Sequence, residues 1–120
     1  MSAGHVDLNI TKGSKFTKTF IWEDASGSAI SLNGYNAEMH IRKYIESAAY
    51  TISLTNGNGK LILENNGNTG YIDIVLDRDD TDLLSAGRSV YELQLVDTLD
   101  SKNVIPLVEG NITIIPDITI

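Results

Sequence analysis

The stretch NAEMHIRK, residues 36–43, decides the fold. Ala37, Met39 and Ile41 alternate with Glu38, His40 and Arg42. Only an extended strand turns successive side chains to opposite faces, so this period of two marks a strand with one dry and one wet face. The same period recurs on both sides of it. YIDIVLD (71–77) sets Ile72, Ile74 and Leu76 against Asp73 and Asp77, and SVYELQLVD (89–97) sets Tyr91, Leu93 and Leu95 against Glu92 and Gln94. VDLNI (6–10) alternates Val6, Leu8 and Ile10. KFTKTFIWE (15–23) places Phe16, Phe20 and Trp22 on one parity, with Lys18 among them. A lysine there fits a sheet edge, where its stem lies on apolar surface and its ammonium reaches water.

Turn signals separate these runs: EDASGSA around Gly27, TNGNGK around Gly57 and Gly59, NNGNTG around Gly67 and Gly70, and DTLDSK after Asp97. Gly and Asn accept positive φ, and Asp and Ser side chains hydrogen-bond nearby amides. SLNGY, from Ser31 to Tyr35, reads as a corner between strands. The runs predict strands at 5–11, 15–23, 35–43, 50–55, 60–64, 71–77, 88–97 and 104–115. The segment 44–49 fits a loop, a helical turn or an edge strand. About seven or eight strands with regular turns predict an all-β, antiparallel, immunoglobulin-like β-sandwich, with one short helical connector near 79–86. The length fits a single domain over 1–120.

Composition narrows the function. Hydrophobic residues make up 42% and charged residues 21%, which is globular. The net charge of −7 opposes binding to nucleic acid and to anionic membranes, both of which call for Lys and Arg. Without cysteine there are no disulfides, thiolate metal sites or cysteine nucleophiles. The opening MSAGHVDLNITKG lacks the basic and apolar regions of a signal peptide, so synthesis in the cytoplasm is expected. The glycosylation triplets at Asn9 and Asn111 are then read as ordinary strand residues.

DRDDTDLLSAG (77–87) carries four aspartates in six positions, Asp77, Asp79, Asp80 and Asp82. An EF-hand calcium loop starting at Asp77 would need a ligand where Thr81 stands, Gly where Asp82 stands and Glu where Arg88 stands. The alternative is a strand end at Asp77, a helix cap at Asp79 or Asp80, Leu83 and Leu84 packing down, and Gly87 ending the helix. Calcium at 77–82 would be adventitious. The two histidines are His5, near one terminus, and His40, on the polar parity of a strand. Nothing in the sequence joins them to a nucleophile and an orienting acid, so a non-enzymatic protein is expected, with no catalytic, cofactor or metal residue assigned. Trp22 shares parity with Phe16 and Phe20 and is expected to pack on the core, whereas Tyr35, Tyr44, Tyr50 and Tyr71 border strands and are candidate interface anchors that the sequence does not rank.

Two segments carry a family resemblance. In 10–43 the marks are Gly13, Phe16, Gly27, Leu32, Gly34, Tyr35, Ile41 and Arg42; in 79–120 they are Leu84, Gly87, Tyr91, Leu93, Glu109, Gly110 and Pro116. Together these segments cover about two-thirds of the chain. They resemble the small immunoglobulin-like structural proteins of tailed bacteriophages, some of which are similar to the N-terminal domain of upper baseplate proteins. The stretch 44–69 matches loosely. The resemblance implies a virion protein, with a connector at the tail, baseplate or fibre attachment favoured over a head or neck decoration protein. It implies other virion proteins and copies of the same chain as partners. It implies no nucleic acid, membrane or small-molecule substrate. A carbohydrate-binding sandwich aiding host adsorption is the reading from another class; it requires exposed aromatics in a concave patch. A hydrolase would require a cleft holding His40 or two close carboxylates. The closing PDITI (116–120) alternates and is expected to add a strand to a partner sheet.

Overall fold

The computed structural model describes residues 4–43 and 52–116. Its strands, in chain order, are β1 (Gly4–His5), β2 (Leu8–Thr11), β3 (Phe16–Ile21), β4 (Tyr35–Arg42), β5 (Ile52–Thr55), β6 (Leu61–Leu63), β7 (Tyr71–Leu76), β8 (Gly87–Asp97) and β9 (Val104–Ile115). A 3-10 turn at Asn65–Gly67 joins β6 to β7, and the short helix α1 (Arg78–Asp82) lies between β7 and β8.

The strands form two sheets. One runs β1-β9-β8-β4-β5, with β2 also on β9, and the other runs β3-β7-β6. Set beside an immunoglobulin sandwich, β3-β7-β6 occupy the B-E-D places and β9-β8-β4-β5 the G-F-C-C′ places. The alternating positions meet between the sheets. Ala37, Met39, Ile41, Leu54, Leu93, Leu95, Ile112 and Ile114 from the larger sheet pack in one cluster with Leu61, Ile72, Ile74 and Leu76 from the smaller. Phe16, Phe20 and Trp22 are only half-buried, because β3 is an edge strand and its inner side lies at the rim of that cluster. Lys18 shares their parity and is exposed, with its Nζ 5.7 Å from the centre of the Phe20 ring, as expected for an edge.

All eight expected strand segments are present, with four departures. First, the sandwich is not antiparallel throughout: β1 and β2 pair parallel to β9. Second, the expected strand 5–11 is split at Val6 and Asp7, although both halves keep one register on β9. Third, the helix starts and stops earlier than 79–86. Its N-cap is Asp77, not Asp79 or Asp80, and its C-cap is Leu83. Gly87 opens β8 instead of ending the helix. Fourth, Leu83 points outward at 63% exposure while Leu84 is buried at 1%, so only one of the two leucines packs down. The inner face of the helix itself is taken by Asp80 and Thr81; Leu83 is the C-cap, and Leu84, just beyond it, is the residue that turns into the core. Tyr44, Tyr50, the start of the strand 50–55 and the tail 117–120 lie outside the described residues.

The split at residues 6–7 has a local cause. Gly110 stands opposite Tyr91 on β8. A Cβ built on Gly110 would fall well inside contact distance of the Val6 carbonyl oxygen. The N-terminal strap therefore leans onto bare backbone at this point. The Tyr91 hydroxyl crosses the same gap and donates to the Val6 carbonyl oxygen. Asp7 completes the crossing, its carboxylate accepting the Asn111 amide at 3.0 Å. Burial, with the Asp7 charge nearby, pushes the Tyr91 hydroxyl up to about 12, so it remains a donor across the physiological range.

Candidate interaction surfaces

Two of the four aspartates, Asp77 and Asp80, are taken up by local structure, while Asp79 and Asp82 are exposed. Asp77 Oδ1 accepts the Asp80 amide at 3.0 Å, and Asp80 Oδ2 accepts the Asp77 amide at 3.1 Å, a reciprocal capping box. The other Asp80 oxygen takes the Lys60 ammonium at 2.6 Å. Burial works against ionisation of Asp80, but Lys60 and the Asp77 amide outweigh it and hold the carboxyl below its ordinary value. Among the described residues, no group of three or more His, Asp or Glu is arranged to hold a metal ion.

Four more carboxylates are spent in a similar way, three on turns and Asp7 on the crossing from the strap to β9, and each is held below its ordinary value. Asp24 is lowered first by the Ser26 side chain, Glu64 by the Gly70 amide, Asp97 by the Leu99 amide and Asp7 by the Asn111 amide. Glu64 Oε2 also accepts the Leu32 amide at 3.1 Å, which ties the SLNGY corner to the β6–β7 connection. In that corner the Tyr35 amide returns to the Leu32 carbonyl at 3.1 Å, with Gly34 at φ +91°, the left-handed value a type II turn demands.

These depressed carboxylates set an expected pH response. The unfolded chain takes up protons near the ordinary carboxylate range, about pH 4, while the folded chain resists them. The stability they supply is therefore present above that range and is lost as pH falls through and below it. Urea denaturation across a pH series should show a plateau above about pH 5 and a decline from about pH 4 downward. Asp80→Asn should be less stable at neutral pH and decline less steeply in acid. A flat response down to pH 3 would contradict this assignment.

The outer face of the larger sheet brings the two histidines together. His40 pairs with Glu92, Glu92 with Glu109, and Glu109 with His5, forming one rung across β4, β8, β9 and β1. With Arg42 and Asn111 these residues line an open cleft of about 250 Å3. Sequence reasoning missed this convergence, because the four residues meet only through strand register. His5 is held by Asp7, Nε2 to Oδ1 at 2.9 Å, and the Arg42 guanidinium lies 3.8 Å from Glu92. Two like charges directly opposite on adjacent strands repel, so Glu109→Gln should raise the urea midpoint slightly with an unchanged slope. A lowered midpoint would mean that Glu109 is held by its neighbours more strongly than it is opposed. The rung offers charge of both signs on a shallow, wet face, suited to contacts with a polar surface.

The aromatic residues do not form a sugar platform among the described residues. Trp22 packs edge-on against Tyr35, with ring centres 5.6 Å apart and planes at 86°, and both are half-buried. Tyr71 is half-buried in β7 and Tyr91 is buried. Asn9 and Asn111 lie within paired strands. No helix among the described residues is long and apolar enough to cross a membrane.

The remaining surfaces are strand edges. Just past the end of β3 the Trp22 amide donates to the carbonyl oxygen of Gly70, just before β7, at 2.8 Å, continuing the β3–β7 ladder. Because amides alternate along a strand, Phe16, Lys18 and Phe20 turn theirs toward β7, while Thr17, Thr19 and Ile21 turn theirs to the open side. The Thr19 hydroxyl to Asp73 bond of 2.7 Å agrees, since side chains approach most closely at pairs without backbone bonds. No protein-family model matches the chain, and no curated protein matches it.

Proposed function

We propose that this chain is a non-enzymatic structural protein of a tailed-phage virion, a connector in the tail, baseplate or fibre-attachment region. It works through contacts with other virion proteins and with copies of itself. The observation that carries this reading is the place of the motif residues in the sandwich. Leu32 is buried behind the Gly34 turn, Leu84 plugs the core below α1, and Tyr91 reaches across Gly110 to the N-terminal strap. The shared motifs are thus the positions on which an immunoglobulin-type sandwich depends. Asp77 and Asp80, which suggested chemistry, are spent on a helix cap and an ion pair, while His40 and the facing carboxylates of Glu92 and Glu109 line an open cleft on the outer face of the larger sheet.

Mass spectrometry of gradient-purified particles, assembled from the genome that encodes this chain, tests the reading. The chain should be present at a fixed copy number. Its absence from purified particles would end the virion assignment.

A further inference from the structure

The two sheets differ in how their edges are finished. In the larger sheet, the strap β1–β2 covers the outer edge of β9. In the smaller sheet nothing among the described residues covers β3, because the N-terminal strap lies on β9 instead. Its open side presents the backbone groups of Thr17, Thr19 and Ile21 along an extended run of six residues.

This edge is also the basic part of an acidic protein. The chain carries 9 basic against 16 acidic residues, and Lys12, Lys15 and Lys18 fall within seven positions that hold no acid. Lys12 is occupied, its Nζ donating to the Asp82 carbonyl oxygen at 3.2 Å. Lys15 and Lys18 make no ion pair among the described residues. Asp73, the carboxylate on the paired strand β7, stands opposite Thr19 and accepts its hydroxyl. Lysine at a strand edge is a usual obstacle to pairing with an identical edge. The same lysines favour a strand that brings carboxylates.

We infer that the open edge of β3 is a docking site for an extended, carboxylate-bearing segment of another polypeptide, which adds to the β3-β7-β6 sheet as a fourth strand. Backbone bonds to Thr17, Thr19 and Ile21 supply the pairing, and Lys15 on the outer face and Lys18 at the inner rim select the charge on the two faces of the added strand. The proposal rests on the contact-protein reading above for the kind of partner. A negative result would close this edge without touching the detection of the chain in particles.

The test uses the full chain, 15N-labelled, and three capped peptides of equal length in which pairs of valines alternate with pairs of glutamate, serine or lysine, so that both faces of the added strand carry the test residue. The glutamate peptide should shift the Thr17, Thr19 and Ile21 amides saturably and slow their exchange with solvent, and the lysine peptide should not. Lys18→Glu, an exposed change that leaves the core intact, should weaken the glutamate peptide about threefold to tenfold and give the lysine peptide measurable binding. Equal binding of all three peptides, shifts confined to another edge, or no binding at millimolar peptide would overturn the proposal. So would concentration-dependent protection of the same amides without peptide, which would make a second copy the occupant.

Discussion

Replacing Gly110 by alanine is expected to cost about 2–4 kcal/mol, combining overpacking with the loss of a buried hydrogen bond. The new methyl would meet the Val6 carbonyl oxygen, a backbone atom that cannot rotate away. Relief requires Val6 to move, and movement of Val6 breaks the bond from Tyr91 and disturbs the Asp7 contact with Asn111. The strap should therefore loosen before the rest of the sandwich unfolds. Urea denaturation gives the cost, and amide exchange at Leu8 and Ile10 reports the strap. Tyr91→Phe removes only the hydroxyl and should cost about 1 kcal/mol. If Gly110→Ala were no worse than Tyr91→Phe, the close approach of Val6 would carry no energetic weight.

Leu84→Ala is expected to cost about 2–5 kcal/mol, and Leu83→Ala less than about 0.5 kcal/mol. Leu84 is 1% exposed within the core, so truncation leaves a cavity, whereas Leu83 is 63% exposed. The pair is a sharp test because the residues are adjacent and chemically identical. Equal losses would mean that both leucines pack inward, contrary to the placement of α1.

The strand pattern was legible because burial on one face imposes a period of two, and Met39, Ile74 and Leu93 obey it without exception. The parallel pairing of β1 and β2 was not legible, since alternation is the same in parallel and antiparallel strands. Leu83 and Leu84 could not be separated for a related reason. Leu83 is the C-cap and Leu84 follows it, so which leucine turns inward depends on where the helix starts and stops, and four nearby aspartates compete for its N-cap. Asp77 wins because Asp80 returns its hydrogen bond and is itself held by Lys60, a residue distant in sequence. The His40–Glu92–Glu109–His5 rung was hidden in the same way. Its members lie on four strands, and only their mutual register aligns them. The open β3 edge was foreshadowed by Lys18, whose charge on an apolar parity fits only where a sheet ends.

The most direct test of the proposed virion connector role is immunogold electron microscopy with an antibody against this chain, applied to intact and to disrupted particles. Label concentrated at the tail tip, baseplate or fibre attachment is the expected result. Label spread over the capsid would replace the connector role with decoration. Absence of label from intact and disrupted particles alike, with recognition of the denatured chain verified, would contradict the virion role altogether.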